Sequence, residues 1–529
     1  MKTSLVIVGC GATAISFLHR HLDFVKNGEA QVKTIYVFEQ RDVFGCGSAY
    51  EPDIASNLLN TKTRFITPFP DRPGDFKNWL DLNKSKWQRA FPDFDAEPDS
   101  YAPRPLFGLY LVEQIRAIVR RAAAVDVRVV LLHAEVQDII SKDSGLVVHT
   151  NCGLAISASK VFLFCGTLAK KPGRLGGDPR IRERPYPLTE WLSAVQPNED
   201  IGIVGARLSA IDTVIALMEL GHRGKVRVHS RSGFFPAVRG TQGRIVTERL
   251  SVEAVNKLVA KKGLLELQDL ANLFQEELAL HDPRFLKQSL SLPTPPSDIE
   301  RYLEDEIKAA SHPRPWQAVL YATNGFIESI WRALSADAQS EFMSKYFGMF
   351  MAYRVSIPIE NAKRILSYLK DARLEFVAGK TDEPSSRDEG IILRSQDKAY
   401  RYDRLIYAIG VPRNAEMLES VLLDNLFRRG MVTAHPMGGI QINAETYKVV
   451  SAVTQRQSEI YAVGELTVGQ NFFTSALEIN ARHAYRCAEI LHASEVRTER
   501  SGLRATTGEV LYSSSACVSS VTSDKLMNS

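Results

Sequence analysis

The chain has 529 residues, with 65 Lys and Arg against 61 Asp and Glu, a net charge of +4. That near balance excludes a basic nucleic-acid face or an acidic solvating chain as the default reading. With 45% hydrophobic and 24% charged residues the composition is that of an ordinary globular protein, and at roughly 150 residues per domain about three domains fit.

The six cysteines (Cys10, Cys46, Cys152, Cys165, Cys487 and Cys517) contain no C-x-x-C pair. Neither a zinc knuckle nor a redox dithiol is therefore written in them, and their pattern suits a reducing cytosol. No apolar run reaches the length of a spanning helix. The N-terminal apolar run is broken by a glycine turn and lacks a clean A-x-A site, so the expected location is cytoplasmic, with no membrane and no nucleic-acid partner.

In chain order, Ser4 to Val8 is a β-branched run that stops at Gly9. A helical pattern follows from Ala12 to about Val25, and a second β run from Thr34 ends at Glu39. Strand, turn, helix, strand is how a parallel α/β sheet begins. Residues 50–105 are rich in Pro, Asn and Asp and read as long loops; Leu106 to Ala124 reads as a helix, with strands at 127–132, 145–150 and 160–165. Prolines 172, 179, 185 and 187 then lead to a second strand-turn-helix at Ile201. From Thr247 to Leu369 apolar residues recur at helical spacing, which predicts a helical insertion. Strands return at 374–377, 391–394 and 404–409, and a last one at Glu459 to Val463 precedes a helix from Thr474 to Leu491. The Ser/Thr-rich residues after Ser501 are expected to be disordered.

The first turn reads Gly9-Cys-Gly11-Ala-Thr-Ala14, the G-x-G-x-x-G/A pattern. Gly9 permits the tight turn, Gly11 lets a pyrophosphate approach the backbone, and Ala14 lets the helix pack closely on the sheet. The free N–H groups of the helix N-terminus face the phosphates. Glu39, at the end of the second strand, is placed to accept both ribose hydroxyls of an adenosine. A cradle at the very start of the chain favours FAD over NAD. Two further apolar strands end in glycine, at Gly166 and at Gly464-Glu465. Gly166 is expected beside the adenine half and Glu465 beside the ribityl or pyrophosphate region. The helix after Thr474 would aim its N-terminus at the flavin pyrimidine.

The second turn, Ile201-Gly-Ile-Val-Gly205-Ala-Arg207-Leu-Ser209-Ala210, repeats the architecture but carries Arg207 where the second glycine is expected. That side chain either blocks a pyrophosphate or swings out and pairs with it. The next strand ends in Arg231 rather than in an acid. An arginine there suits a 2′-phosphate, which favours NADPH over NADH; the alternative is a solvated surface charge.

With these residues the chain resembles the FAD-NAD(P)-binding flavoproteins related to flavin monooxygenases, including N-hydroxylases. The resemblance spans nearly residues 3–495. Gly205 and Ser209 match the G-x-G-x-S-A signature, Arg207 apart. Gly45-Cys-Gly47-Ser-Ala-Tyr50, Asn57-Leu-Leu-Asn60, Phe69-Pro-Asp-Arg-Pro-Gly74 and Pro103-Arg104-Pro are similar to family segments. Asp403-Arg-Leu-Ile-Tyr-Ala408-Ile-Gly410 is similar to D-x-x-x-L/F-A-T-G, with Tyr407 and Ile409 substituted. The resemblance implies an α/β, two-dinucleotide-binding, Rossmann-like flavoprotein with a helical insertion. It divides the chain into an FAD half (1–196 and 411–495), an NADPH half (197–246 and 370–410), the insertion (247–369) and the tail (501–529). It implies FAD reduced by NADPH, molecular oxygen as co-substrate, and hydroxylation of a small polar metabolite, an amine first, through a flavin C4a-hydroperoxide. The alternatives are a flavin dehydrogenase or electron-transfer reductase, and a flavin-binding regulatory protein without turnover. No protein nucleophile or metal is called for, because the cofactor makes the bonds.

Several residues admit two readings. Cys46 is either redox active or a small buried filler. Asn60 either contacts the flavin ring or substrate, or forms a turn. Arg104 either reaches a flavin phosphate or sits in a structural ion pair. His435 either lines a pocket or is satisfied by its own loop. His19 and His21, two apart on a helix, make a poor metal pair. The aromatic run Tyr346 to Tyr353 packs a helix into the core and supplies part of a substrate wall.

Overall fold

The structure, a computed structural model, describes residues 4–28, 32–143, 145–173, 175, 177–286, 293–453 and 457–508, with 457 and 494–508 as backbone alone. Two sheets dominate it, parallel except for one antiparallel edge strand, Lys448–Val450. The first is built from β1 (Ser4–Val8), β2 (Thr34–Glu39), β3 (Arg128–His133) and β4 (Lys160–Leu163). The second uses β5 (Ile181–Arg182), β6 (Ile201–Val204), β7 (Val226–Ser230), β8 (Leu374–Ala378) and β9 (Arg404–Tyr407). The chain then returns to the first sheet through β10 (Lys448–Val450) and β11 (Gln457–Ala462).

The strand order is β10-β11-β4-β1-β2-β3 in the first sheet and β8-β7-β6-β9-β5 in the second. In each, the strand that enters a glycine turn is central. Val8 lies opposite both Phe38 and Leu163, and Val204 opposite both His229 and Tyr407. These strands are apolar on both faces, as a parallel sheet covered by helices requires. Edge strand β5 comes from the segment before residue 197, because the linker between the sheets lies extended along β9. Two small antiparallel sheets, with strands at 136–158 and 385–402, include four strands absent from the sequence reading: Val136–Lys142, Ala155–Ala158, Ser385–Arg387 and Lys398–Tyr402.

Helix α1 (Ala12–Lys26) follows β1, α2 (Arg104–Ala123) precedes β3, and α3 (Leu208–Glu219) follows β6. The described residues between 252 and 370 form a helical lobe that includes α4 (Pro315–Ala322), α5 (Ile327–Ala333), α6 (Phe347–Arg354) and α7 (Ile359–Lys370). A π-helical turn, Phe342–Tyr346, opens the aromatic run; such turns recur at functional sites. The lobe has its own core, into which Phe472, Phe473 and Ile479 also pack.

The last helix, α8 (Leu477–Gly508), differs from expectation at both ends. It begins after Thr474 because Phe472 has φ of +62° and the Thr474 carbonyl accepts a bond from Asn480 Nδ2 at 2.6 Å. It continues through residues 501–508, which were expected to be disordered; Leu503, Arg504 and Ala505 are good helix formers. The remainder of that expected tail, 509–529, lies outside the described residues.

Candidate active site

The two glycine turns are copies of one another in geometry. Gly9 and Gly205 have φ of +98° and +112°. A Cβ on Gly9 would sit 2.2 Å from the Phe164 carbonyl oxygen, and one on Gly205 2.4 Å from that of Ala408. Both positions therefore demand glycine on two counts. Gly9 N–H donates to Phe38 O at 2.9 Å, and Gly205 N–H to His229 O at 2.8 Å. Gly11 and Arg207 then occupy the same place, each the residue before its helix, with φ, ψ of −100°, −165° and −96°, −167°. Neither angle needs glycine, so Arg207 fits without backbone strain.

Around the first turn, Gly47 (φ +59°) faces Gly11, and a Cβ on Gly11 would lie 3.5 Å from the Gly47 Cα. Ala14 is fully buried under its helix. Glu39 is 3% exposed; one oxygen accepts from the Cys10 N–H at 3.0 Å and the other from the Arg41 N–H at 3.1 Å. The second oxygen also accepts from Arg41 Nη1 at 3.2 Å, which leaves a lone pair for a ribose hydroxyl on the first. Three thiols surround this carboxylate. Burial and then the Glu39 charge raise Cys10 above the ordinary thiol range, push Cys46 up to about 11, and push Cys165 up to about 12. Cys46 is buried, with Sγ 3.7 Å from the Val43 carbonyl. Protonated, buried thiols are inert, which fits the filler reading.

A cleft of about 790 Å³ lies where the two sheets and the lobe meet. Of the residues singled out in sequence, Asn60, Arg104, Gly166, Ser209 and Glu465 line it. Gly9, Gly11, Ala14, Glu39, Gly47, Gly205, Gly464 and Arg231 lie outside its lining, although Ser48 and Arg207 beside them are in it. Asn60 is exposed toward the cleft. Gly166 and Gly464 have positive φ and open space where a Cβ would point, apart from Ser48 Oγ 4.0 Å from Gly166.

Arg104 Nη2 donates to Asp212 at 2.7 Å and its Nε to the Leu58 carbonyl at 3.1 Å. Tyr186 OH donates to the same Asp212 oxygen at 2.5 Å. Burial works against the Arg104 charge, and Asp212 with Tyr186 more than offsets it, raising its pKa. The arginine is thus committed to a buried ion pair that joins the N-terminus of α2 to α3 in the second half. Arg207 Nη2 reaches across to the Gly348 carbonyl of the lobe at 3.2 Å. Burial, and then the Arg231 charge, lower its pKa; Arg231 itself is exposed at the end of β7.

Glu465 follows β11 and accepts from Thr474 Oγ1 at 3.1 Å, and burial raises its pKa. Arg413 lies near it and donates to the carbonyls of Met437, Phe472 and Val468; burial pushes it down to about 10. The residues from Thr474 to Glu478, which lead into α8, line the cleft. Phe347 and Met351 of the aromatic run line it too, whereas Tyr353 packs on Trp316 at 5.4 Å. Phe472, held at positive φ and stacked on Trp331 at 4.6 Å, completes that wall. His435 lies in its own loop, where Nδ1 accepts from the Met437 N–H at 3.1 Å. His19 lies beside Asp23 and Asp71, but Arg121 already bridges His19 Nδ1 (3.2 Å) and Asp23 (2.5 Å).

The sequence reading missed Phe472, Tyr321, Arg239, Arg354 and Arg413 as cleft residues. Only the Phe-Phe pair at 472–473 before the last helix offered a local signal; the others come together from separate segments.

Residues 6–168 match the family model described as FAD-NAD(P)-binding. The Escherichia coli (strain K12) protein YdhS, itself uncharacterized, is 22% identical over 457 residues, 77% of this chain and 83% of its own. Among solved structures, the ornithine N-hydroxylase KtzI of Kutzneria sp. 744 superposes with a TM-score of 0.54 at 15% identity, over 94% of this chain and 100% of its own. The ornithine hydroxylase PvdA of Pseudomonas aeruginosa gives 0.53 at 14%, over 93% and 99%. At those identities the two likenesses concern the fold. No described helix is long and apolar enough to cross a membrane.

Proposed function

An FAD-NAD(P)-binding domain over residues 6–168 is the premise, and from it we propose that the protein is an FAD-dependent, NADPH-using monooxygenase that hydroxylates a small polar metabolite, an amine first. The observation that carries this is the pair of equivalent turns, at Gly9 and at Gly205, flanking one cleft closed by a helical lobe. In this reading residues 1–196 and 411–495 hold FAD, 197–246 and 370–410 hold NADPH, and 247–369 covers the substrate. The N-hydroxylase folds of KtzI and PvdA support it.

Bound FAD supplies hydride acceptance from NADPH and reaction with oxygen. The chain supplies the rest. The turn at Gly9 to Gly11 would present backbone N–H groups to the FAD diphosphate, and Glu39 would accept from the ribose through the oxygen that Arg41 leaves free. Glu465, steadied by Thr474, would hold the ribityl or pyrophosphate region, and the N-terminus of α8 would offer partial positive charge to the flavin. Arg231 pairs with a 2′-phosphate. Arg207 is turned toward the lobe and stands ready to pair with the second diphosphate. Phe347, Met351 and Phe472 exclude water from the reacting centre.

The test is spectroscopic. Purified protein should be yellow, and NADPH added without oxygen should bleach it. Oxygen and a substrate panel should then yield a product heavier by one oxygen atom. Failure to bleach would refute the NADPH-using reading; it would favour a flavin-binding protein without turnover, for which Arg207 in the place of a glycine is the supporting feature. Bleaching followed by peroxide release with every substrate would point to a reductase or oxidase.

A further inference from the structure

At the lobe end of the cleft two arginines stand on one tyrosine ring. Arg239, in the segment after β7, donates its N–H to the Ile357 carbonyl at 2.9 Å. Arg354 closes α6. The Arg239 guanidinium carbon is 3.8 Å from the centroid of the Tyr321 ring, and that of Arg354 is 5.7 Å from the same centroid. The Tyr321 hydroxyl is fixed by Ser356 Oγ at 2.5 Å. All four side chains line the cleft, as does Asn324.

Arg354 is 3% exposed. It donates to the Leu320 carbonyl and to Asn324 Oδ1, and its Nε is buried with no partner among the described residues. Burial pushes its pKa down to about 10, with Tyr321 opposing, Arg239 adding and Glu478 opposing more weakly, so it stays cationic at neutral pH. Other arginines nearby have carboxylate partners: buried Arg314 pairs with Glu306 at 2.7 Å, and half-buried Arg482 with Glu328. Among the described residues Arg239 and Arg354 have none. The cleft acid that acts on Arg354, Glu478, pairs with Arg244 at 3.0 Å and 3.1 Å and accepts from Asn324 Nδ2 at 3.4 Å. Arg354 is out of water and Arg239 half-buried beside it, and with only neutral oxygens and aromatic faces for compensation such like charges are costly unless an anion joins them. Guanidinium groups favour carboxylate or phosphate oxygens in that role.

We propose that Arg239 and Arg354 form an anion subsite that holds a carboxylate of the substrate, so that the metabolite oxidised in this cleft is a small organic acid. This rests on the flavoenzyme reading of the cleft. A phosphate of the nicotinamide dinucleotide offers the same chemistry, and the experiment separates the two sources.

Flavin-loaded protein is titrated with succinate, glutarate and adipate, with the matching diamides and diamines, and with 2′,5′-ADP. Binding is read from the flavin absorption spectrum and from melting temperature. At least one dicarboxylate should bind, and its neutral diamide should not. Arg239→Ala and Arg354→Lys should each weaken that dicarboxylate at least tenfold and leave 2′,5′-ADP affinity within twofold. Should Arg354→Lys fail to fold, Arg239→Ala decides alone. Equal binding of acid and diamide, preference for a diamine, no binding by any dicarboxylate, or unchanged affinity in Arg239→Ala would overturn the proposal. Equal weakening of dicarboxylate and 2′,5′-ADP would overturn it too, assigning the anion to the dinucleotide. Anaerobic bleaching of the parent protein by NADPH is measured alongside; its failure refutes the NADPH-using reading while the dicarboxylate titration still reports on the subsite.

Discussion

Removing the Asp212 carboxylate should loosen the joint between the two halves of the molecule. Asp212 is 2% exposed and is the acceptor for both Arg104 and Tyr186. In Asp212→Ala the guanidinium keeps its bond to the Leu58 carbonyl but loses its counter-charge, and the Tyr186 hydroxyl loses its acceptor. Breaking a buried pair on one side typically costs about 3–5 kcal/mol. The Arg104 side chain is 20% exposed along the cleft wall and can partly rehydrate, so the low end, about 3 kcal/mol, is the expected loss. At about 2–4 °C per kcal/mol for a large domain, the melting temperature should fall by roughly 6–12 °C. Flavin fluorescence followed on heating reports the loss directly, and Arg104→Met with Asp212→Leu supplies the check. That apolar pair removes both charges together and should recover most of the loss. A fall below about 2 °C in Asp212→Ala, or a double variant no better than Asp212→Ala alone, would refute the view that the pair holds the halves in register.

Three further outcomes are expected. Gly205→Ala forces a Cβ 2.4 Å from the Ala408 carbonyl; it should abolish anaerobic bleaching by NADPH while FAD, held by the other turn, stays bound, as shown by flavin content after gel filtration. Arg231→Ala should weaken NADPH by about 10–100-fold and NADH by less than about threefold, since a charge-assisted bond to phosphate contributes about 1.5–3 kcal/mol; equal effects on both cofactors would remove the reason for preferring NADPH. Glu465 has its folded pKa raised by burial, so its contribution to stability is full below the ordinary carboxylate range and is lost as pH rises through the raised value. Apoprotein carrying Glu465→Gln should therefore gain melting temperature relative to the parent between pH 5 and about 8, the direction opposite to that of a salt-bridged acid.

Much of the cofactor framework was legible in the residues themselves because its requirements are local. A turn at positive φ whose Cβ would strike a neighbouring carbonyl admits only glycine, so Gly9 and Gly205 announce themselves in a single sequence. The same holds for the apolar strands and for the helices that follow them, whose period is set by burial. The readings left open at Arg104 and Arg207 could not close locally. Their long side chains reach Asp212 and Gly348, residues 108 and 141 positions away, and only packing decides which partner lies within reach. The small antiparallel strands escaped because short, half-exposed segments carry little periodicity. The end of the last helix escaped because its composition resembles that of a loop. The cleft's lobe end was wholly a matter of tertiary structure. Arg239, Tyr321 and Arg354 stand far apart in the chain and share no motif, and their chemistry arises from bringing two like charges to one ring. What the amino-acid order determined alone was where the two glycine turns lie, a matter of steric exclusion at single residues; what the tertiary structure decided was which charges face the cleft beside them, a matter of long-range proximity that no local pattern encodes.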